Sequence, residues 1–356
     1  MFFSISLLAG VGLFIWIGKT VGWQEIKSAF LVFTGWQGLV IFGLTSLMML
    51  IGNWKWQEIL KGGGTNIPFF NLLKAYLPSF SIRFLAPIVL VAAELFQGYA
   101  LLAEPCSSHA FRPAREKQKN SLSWSKAMAS VIIDRVLEWT ANLVVIFFGA
   151  LFFLSIIGLP PMRLLIILGC VFLFFAGGIA YFYFKIFKKE SMTKIFGKIF
   201  NHRLNDQPLE IEREIFDFFR PKKMAMWKGF GLSFLRAGIM LIRTWLLIIF
   251  LGKNIGALSS LSILGFTYLA IMIPIPMALG SHEAIQTFAF NSLGLSLGAA
   301  TAFTMIIRGA ELLIALIGVI ILSRLGIILL KKVLFKESKN KNNFQLLIIS
   351  QEKERP

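Results

Sequence analysis

The chain has 356 residues, of which 56% are hydrophobic and 15% charged, and its mean hydropathy is +0.73. Apolar runs of this length exclude a soluble globular domain, which needs far more polar surface, and predict an all-α polytopic membrane protein. A net charge of +18 would point to nucleic acid in a soluble protein, but here Lys and Arg collect in loops on one side of a membrane, so no nucleic-acid partner is expected.

Residues 2–18 lack a basic leader and a small-residue cleavage site, so they read as a first transmembrane helix rather than a signal peptide. A short loop with Lys19, Glu25 and Lys27 leads to a second span, 36–53. The stretch from Lys55 to Lys61 ends in Gly62-Gly63-Gly64, a flexible break. Residues 68–103 are apolar but interrupted by Pro78 and Pro87, with Arg83 between them and Glu94 seven residues after Pro87. A polar, basic loop (104–119) precedes a long span, 124–156, that carries Asp134, Arg135 and Glu138. Pro160-Pro161 turns the chain, and 162–184 returns across the bilayer.

Residues 185–228 form the one sizeable polar segment. Met192, Ile195, Phe196, Ile199 and Phe200 recur at helical spacing, as do Ile211, Ile215, Phe218 and Phe219. Two readings stand side by side: amphipathic helices lying on the membrane surface, or a small packed cap over the helix ends. The next span, 229–251, places Arg236 and Arg243 seven residues apart on one face. Segment 257–293 is broken at Pro274 and Pro276 and restarts after Gly280 with His282 and Glu283. Span 300–323 carries Arg308 and Glu311. The chain divides into one integral membrane domain, 1–330, holding the cytoplasmic loop 185–228, and a basic cytoplasmic tail, 331–356.

Leu122–Glu138 aligns with Leu295–Glu311 at seven identities in 17 positions, among them Ser123/Ser296, Arg135/Arg308 and Glu138/Glu311. A shared Arg-x-x-Glu inside two apolar spans carries weight, because charge at membrane depth is scarce. Each copy follows a proline-broken segment with a glutamate, Glu94 or Glu283, which defines repeats over 68–156 and 257–323. If both broken segments are re-entrant hairpins, 28 Lys and Arg fall on one face and 4 on the other. That distribution satisfies the positive-inside bias. It predicts six full crossings and two hairpins entering from opposite sides, with both termini cytoplasmic and the repeats inverted. Inverted repeats with discontinuous helices are the architecture of many transporters.

An unpaired charge near a helix centre costs about 2.5–3.5 kcal/mol on the lenient insertion scale. Arg135, Arg236, Arg243 and Arg308 must therefore face Glu94, Asp134, Glu138, Glu283 and Glu311, or water, rather than lipid. Arg135/Glu138 and Arg308/Glu311 are spaced to pair along one helix face, as structural clamps or as working groups. The helix of Arg236 and Arg243 holds no acid, so these two need anions from elsewhere: Glu94, Glu283, or a ligand phosphate, which a guanidinium fork suits. A polar cavity where the hairpin tips meet is expected, with the four arginines contacting an anionic lipid headgroup. Glu283, Glu94, Glu311, Glu138 and Asp134 are the gating or proton-carrying candidates, and His282 reads as an interfacial residue or a titrating one.

There is no Walker GxxxxGK[ST], HExxH or zinc-spaced Cys/His cluster, and Cys106 and Cys170 lie far apart. No catalytic residue, metal site, cofactor or disulfide is expected, and the chain is not expected to be an enzyme.

Three places carry a family resemblance: Ala127–Glu138 (AMASVIIDRVLE), Met272–Glu283 (MIPIPMALGSHE) and Leu293–Arg308, a Gly-Leu-Ser followed by an apolar run to a lone arginine. The chain resembles, over about 70–325, the transmembrane region of lysylphosphatidylglycerol synthetases, a family that includes stand-alone flippase-like membrane proteins. The match is to A-x-A-S-V followed by paired acids around an arginine, and to P-x-P-x-x-x-G-x-x-E. The first hairpin departs from the family's P-x-x-x-G-E, since Ala93 precedes Glu94. Only 33 residues, 324–356, follow the last predicted span, so no aminoacyl-transfer domain is expected. The resemblance implies a lipid flippase, moving an anionic or modified lipid between leaflets. The alternatives are an accessory lipid-binding protein that recruits a partner synthase, and, further off, a membrane glycosyl or acyl transferase.

Overall fold

The computed structural model describes residues 35–85, 90–103, 123–158, 162–188, 206–271 and 281–324, together with Gln24 and Lys27. The expected span 2–18, the breaks at Pro87, Pro274, Pro276 and Gly280, the segment 192–200 and the tail 331–356 lie outside the described residues. Among those described there is no strand. The helices in order are α1 (Gly35–Gly62), α2 (Phe69–Leu85), α3 (Leu90–Ala103), α4 (Trp124–Ile157) and α5 (Met162–Lys188). They continue with α6 (Asp206–Phe218), α7 (Met224–Phe250), α8 (Ala257–Ile271), α9 (Ser281–Ser292) and α10 (Leu297–Arg324).

Four of these, α1, α4, α7 and α10, are long and apolar enough to cross a membrane. At 1.5 Å rise per residue the 27 residues of α7 span about 40 Å, more than a hydrocarbon core. α5 is a further apolar helix of 27 residues, with Lys185 and Lys188 in its last turn. Large apolar side chains point outward along these helices: Leu39, Leu47, Phe147, Leu151, Leu316 and Ile320 are all exposed. An outer surface of that kind is stable in lipid and aggregates in water.

The equivalent helices α4 and α10 start in the same way, which explains one identity of the repeat. Ser123 accepts a hydrogen bond from Lys126 N at 3.2 Å, and Ser296 accepts one from Ala299 N at 3.4 Å. Both are N-caps, satisfying an amide that has no partner within the helix. Two further identities, Ala127/Ala300 and Ala129/Ala302, are buried small residues that let neighbouring helices close in.

Each broken segment forms a helix pair: α2 packs on α3, and α8 on α9. α1 and α7 lie side by side, and α4 touches α1, α3, α5, α6, α7 and α8. Each hairpin also meets the long helix of the other repeat. At Gly149 of α4 an added Cβ would lie 2.8 Å from Leu261 O and 3.2 Å from Gly265 Cα of α8. At Gly318 of α10 it would lie 2.5 Å from Leu77 O of α2, where Ser81 Oγ also donates to Ala315 O at 2.7 Å. Glycine here permits backbone-to-backbone contact between helices.

Three details depart from the sequence reading. Pro78 does not interrupt the first broken segment, because α2 runs through it to Leu85. Lys55 is no loop residue: α1 carries it inside the bundle, where it is 1% exposed. Arg83, counted among the 28 cations expected on one face, is likewise held within α2 and partly buried. Without these two cations, 26 of the 28 Lys and Arg expected on one face remain to set against 4, so the expected bias does not depend on them.

The polar segment's described part, α6, is packed rather than laid on a surface. Ile215, Phe218 and Phe219 are buried against Ile133 and Leu137 of α4, Ile186 of α5 and Met226 of α7. Ser125 Oγ donates to Glu210 at 2.8 Å, and Lys223 pairs with Asp217. Of the two readings of this segment, the packed cap describes α6.

Candidate functional site

The charged residues gather into two clusters, one for each repeat, joined by α7. In the first, Arg135 of α4 reaches three carboxylates: Glu138 at 2.5 Å, Asp134 at 2.9 Å and Glu94 of α3 at 3.3 Å. Arg83 of α2 lies 3.4 Å from Glu94 and also donates to Ser79 Oγ and Gln97 Oε1, at 3.2 and 3.1 Å. Lys55 of α1 sits 2.9 Å from Asp134 Oδ1, with both side chains essentially dry. Arg236 of α7 pairs with Glu138. The cluster thus sets Lys55, Arg83, Arg135 and Arg236 against Glu94, Asp134 and Glu138.

In the second cluster, Arg308 Nη1 lies 3.0 Å from Glu311 on the same helix, α10. Arg243 of α7, fully buried, reaches the other oxygen of Glu311 at 3.5 Å and donates to Thr45 Oγ1 of α1 at 3.1 Å. The Arg308 guanidinium lies over the ring of Phe84, 5.8 Å from its centroid, so the second repeat's arginine touches the first repeat's hairpin. His282 and Glu283, in the first turn of α9, are 2% and 3% exposed.

Sequence spacing correctly paired Arg135 with Glu138 and Arg308 with Glu311. It did not find the partners of the α7 arginines, which are Glu138 and Glu311 in place of the expected Glu94 and Glu283. The cause is geometric. Arg236 and Arg243 are two turns apart on one rigid helix, about 10 Å, so each meets the long helix of a different repeat. Asp134, a gating candidate, is bound to Lys55 and Arg135, which accounts for its burial.

Two polar staples escaped the sequence reading. In the first hairpin Ser79 Oγ donates to Gln97 Oε1 at 3.0 Å, across α2 and α3. In the second, Gln286 Nε2 donates to Thr267 Oγ1 at 2.7 Å, across α9 and α8. Gln97 and Gln286 follow Glu94 and Glu283 by three residues, so both hairpins carry Glu-x-x-Gln-x-x-Ala. That motif was available in the sequence, but uncharged polar residues do not interrupt an apolar run strongly enough to draw notice. The hairpins differ in charge: Arg83 has an apolar counterpart near Ile271.

A small cavity of about 20 Å³, room for one water molecule, lies between α1, α4, α7 and α8, lined by Lys55, Glu138, Asn142, Ser233, Arg236 and Tyr268. A larger one of about 260 Å³ sits apart from the charges. Ile146, Phe147, Phe153, Phe172, Phe266 and Phe288 line it, so its chemistry is that of hydrocarbon. Among the described residues no group of His, Cys, Asp or Glu has the arrangement of a metal site.

Comparison with known proteins places these features in a family. Residues 3–318 match the family described as lysylphosphatidylglycerol synthase TM region. The chain is 24% identical over 284 residues to the UPF0104 membrane protein PH1989 of Pyrococcus horikoshii, covering 74% of this chain and 78% of that protein. No solved structure matches the chain.

Proposed function

The chain belongs to the lysylphosphatidylglycerol synthase TM-region family of integral membrane proteins, and from that premise we propose that it is a flippase for an anionic or modified phospholipid. In this reading it works in the cytoplasmic membrane without enzymatic activity, with both termini cytoplasmic. α2–α3 and α8–α9 are re-entrant hairpins of an inverted repeat, entering from opposite faces among six crossings.

The observation that carries the reading is the symmetry of α7. Arg236 binds Glu138 of one repeat, and Arg243 binds the equivalent Glu311 of the other. Transporters built from inverted repeats place their site at such an interface, between half-helices near the midplane. A headgroup crossing there exchanges its water for guanidinium donors, while its tails stay in the bilayer. Each arginine is held by a carboxylate that can yield to a phosphate, so in this reading the acids gate the path and Glu94 and Glu283 are its proton carriers. Partner recruitment through the polar segment has less support, because the apolar face of α6 is already packed against α4, α5 and α7.

The test is leaflet exchange in proteoliposomes. Full-length protein is reconstituted with headgroup-labelled phosphatidylglycerol, and a membrane-impermeant quencher is added outside. The account predicts that the protected inner-leaflet signal is lost with protein and retained in protein-free vesicles. Retention in both sinks the transport reading.

A further inference from the structure

α4 and α8 meet backbone to backbone at Gly149 and Gly265, yet Gly265 also lines the 260 Å³ cavity bounded by α4, α5, α8 and α9. On its α5 wall, an added Cβ at Gly169 would meet nothing within 4 Å. The lining is graded in burial. Phe147 is 49% exposed and Ala150 is exposed, whereas Ile146, Phe153 and Phe266 are buried. The cavity therefore runs inward from the outer face of the bundle. Phe147 stacks on Phe172 of α5 at its mouth, and Phe153, Phe266 and Phe288 form its inner wall, with centroids between 4.7 and 5.9 Å apart.

The lining offers nothing to a polar ligand. Its one hydroxyl among the described residues, that of Ser262, donates to Leu258 O of its own helix at 3.4 Å. The wall segments, 143–157 of α4, 164–184 of α5 and 257–271 of α8, contain no Asp, Glu, Lys or Arg, which suits hydrocarbon depth rather than the headgroup region. Ile146 lies eight residues beyond Glu138 on α4, about 12 Å along the axis, so the cavity is separate from the first charge cluster. An apolar cavity of about 150 Å³ in a soluble protein stays dry and takes up benzene. A void left empty costs stability in proportion to its volume. This chain belongs to a membrane family, so the apolar molecule present in bulk at the mouth is a lipid tail.

We propose that this cavity is the seat of one acyl chain of a bilayer lipid, and that it selects for the chain and not for the headgroup. A chain seated there packs the α8–α9 pair of the second repeat against α4 of the first. The seat requires only the membrane setting and does not rest on the flippase reading.

Photo-crosslinking of the full-length protein tests this, in phosphatidylcholine vesicles holding a trace of phosphatidylcholine with a diazirine midway along one acyl chain. Adducts are mapped by peptide mass spectrometry. Wild type is labelled at the buried Phe153 or Phe266, and also at Leu316, an exposed residue of α10 that reports general lipid contact. Gly169→Phe, which puts a ring into the open space, lowers labelling of the buried pair at least about tenfold, the loss expected when about two methylenes no longer fit. Labelling of Leu316 is unchanged. Gly169→Leu acts in the same direction and carries the test if unfolding midpoints show that the larger variant has not folded. The same diazirine chain on phosphatidylglycerol labels the buried pair equally, and labelling from phosphatidylglycerol alone overturns a seat that selects for the chain. Wild type labelled at Leu316 but at neither Phe153 nor Phe266 overturns the seat, whether the opening is then empty or filled by a helix of a second copy. Equal labelling of the buried pair in wild type and folded Gly169→Phe also overturns it. None of these outcomes depends on whether the lipid changes leaflet.

Discussion

Lys55 and Asp134 form a buried ion pair, 2.9 Å apart on α1 and α4, that exists in only one of the two repeats. The residue equivalent to Asp134 in α10 is Ile307, which is buried among apolar side chains. One repeat therefore solves by charge what the other solves by hydrocarbon. Buried pairs are expensive to break and often neutral to replace as a unit. Lys55→Met alone is expected to destabilise the fold by about 3–5 kcal/mol, since it leaves a carboxylate facing Arg135 only. Lys55→Met with Asp134→Ile, which copies the second repeat, recovers most of that loss. Denaturant unfolding of the three variants in detergent micelles checks it. A double variant no more stable than the single one contradicts the account.

The two glutamine staples make a second prediction. Gln286→Leu and Thr267→Val each remove the 2.7 Å bond between α9 and α8, and Gln97→Leu removes the 3.0 Å bond between α3 and α2. Interhelical hydrogen bonds in membranes contribute about 0.6–1.7 kcal/mol. Each single variant should lose an amount in that range, and Gln286→Leu with Thr267→Val should lose less than the sum of its parts. Strict additivity in this double-mutant cycle would show that the two side chains do not interact.

Helix approach is tested at the glycines. An added Cβ at Gly318 meets Ser81 Oγ and, at 2.5 Å, Leu77 O, and one at Gly149 meets Leu261 O at 2.8 Å. Backbone atoms cannot move aside as side-chain ends do, so Gly149→Ala and Gly318→Ala are expected to lower stability by about 1–3 kcal/mol. Gly238 and Gly309 have nothing within 4 Å of an added Cβ, and alanine there is neutral or slightly stabilising through its helix propensity. Thermal unfolding of the four variants separates the two classes.

How far the fold could be read from the chain depended on which residues signal across an apolar background. Arg135/Glu138 and Arg308/Glu311 were legible because charge is rare at membrane depth, and their spacing alone fixes the pairing within each helix. Ser123/Ser296 was visible as an identity, though its meaning as a shared N-cap required the helix starts. Lys55 was misplaced because a hydropathy reading ends a span at its first charge, whereas α1 continues to Gly62 and uses Lys55 internally. The partners of Arg236 and Arg243 are a matter of which helix lies beside α7, and linear spacing does not contain that. Gln97 and Gln286 were passed over for a related reason: neutral polar side chains acquire importance only when burial leaves them to be satisfied.

The most direct test of the central claim is the rate at which labelled phosphatidylglycerol changes leaflet in proteoliposomes holding wild type, Arg308→Gln or Arg308→Lys. Gel filtration and unfolding midpoints establish that each is folded. The account predicts exchange by wild type, a rate at least about tenfold lower for Arg308→Gln, and an intermediate rate for Arg308→Lys, which keeps the charge but not the fork. Exchange by folded Arg308→Gln at the wild-type rate would contradict it.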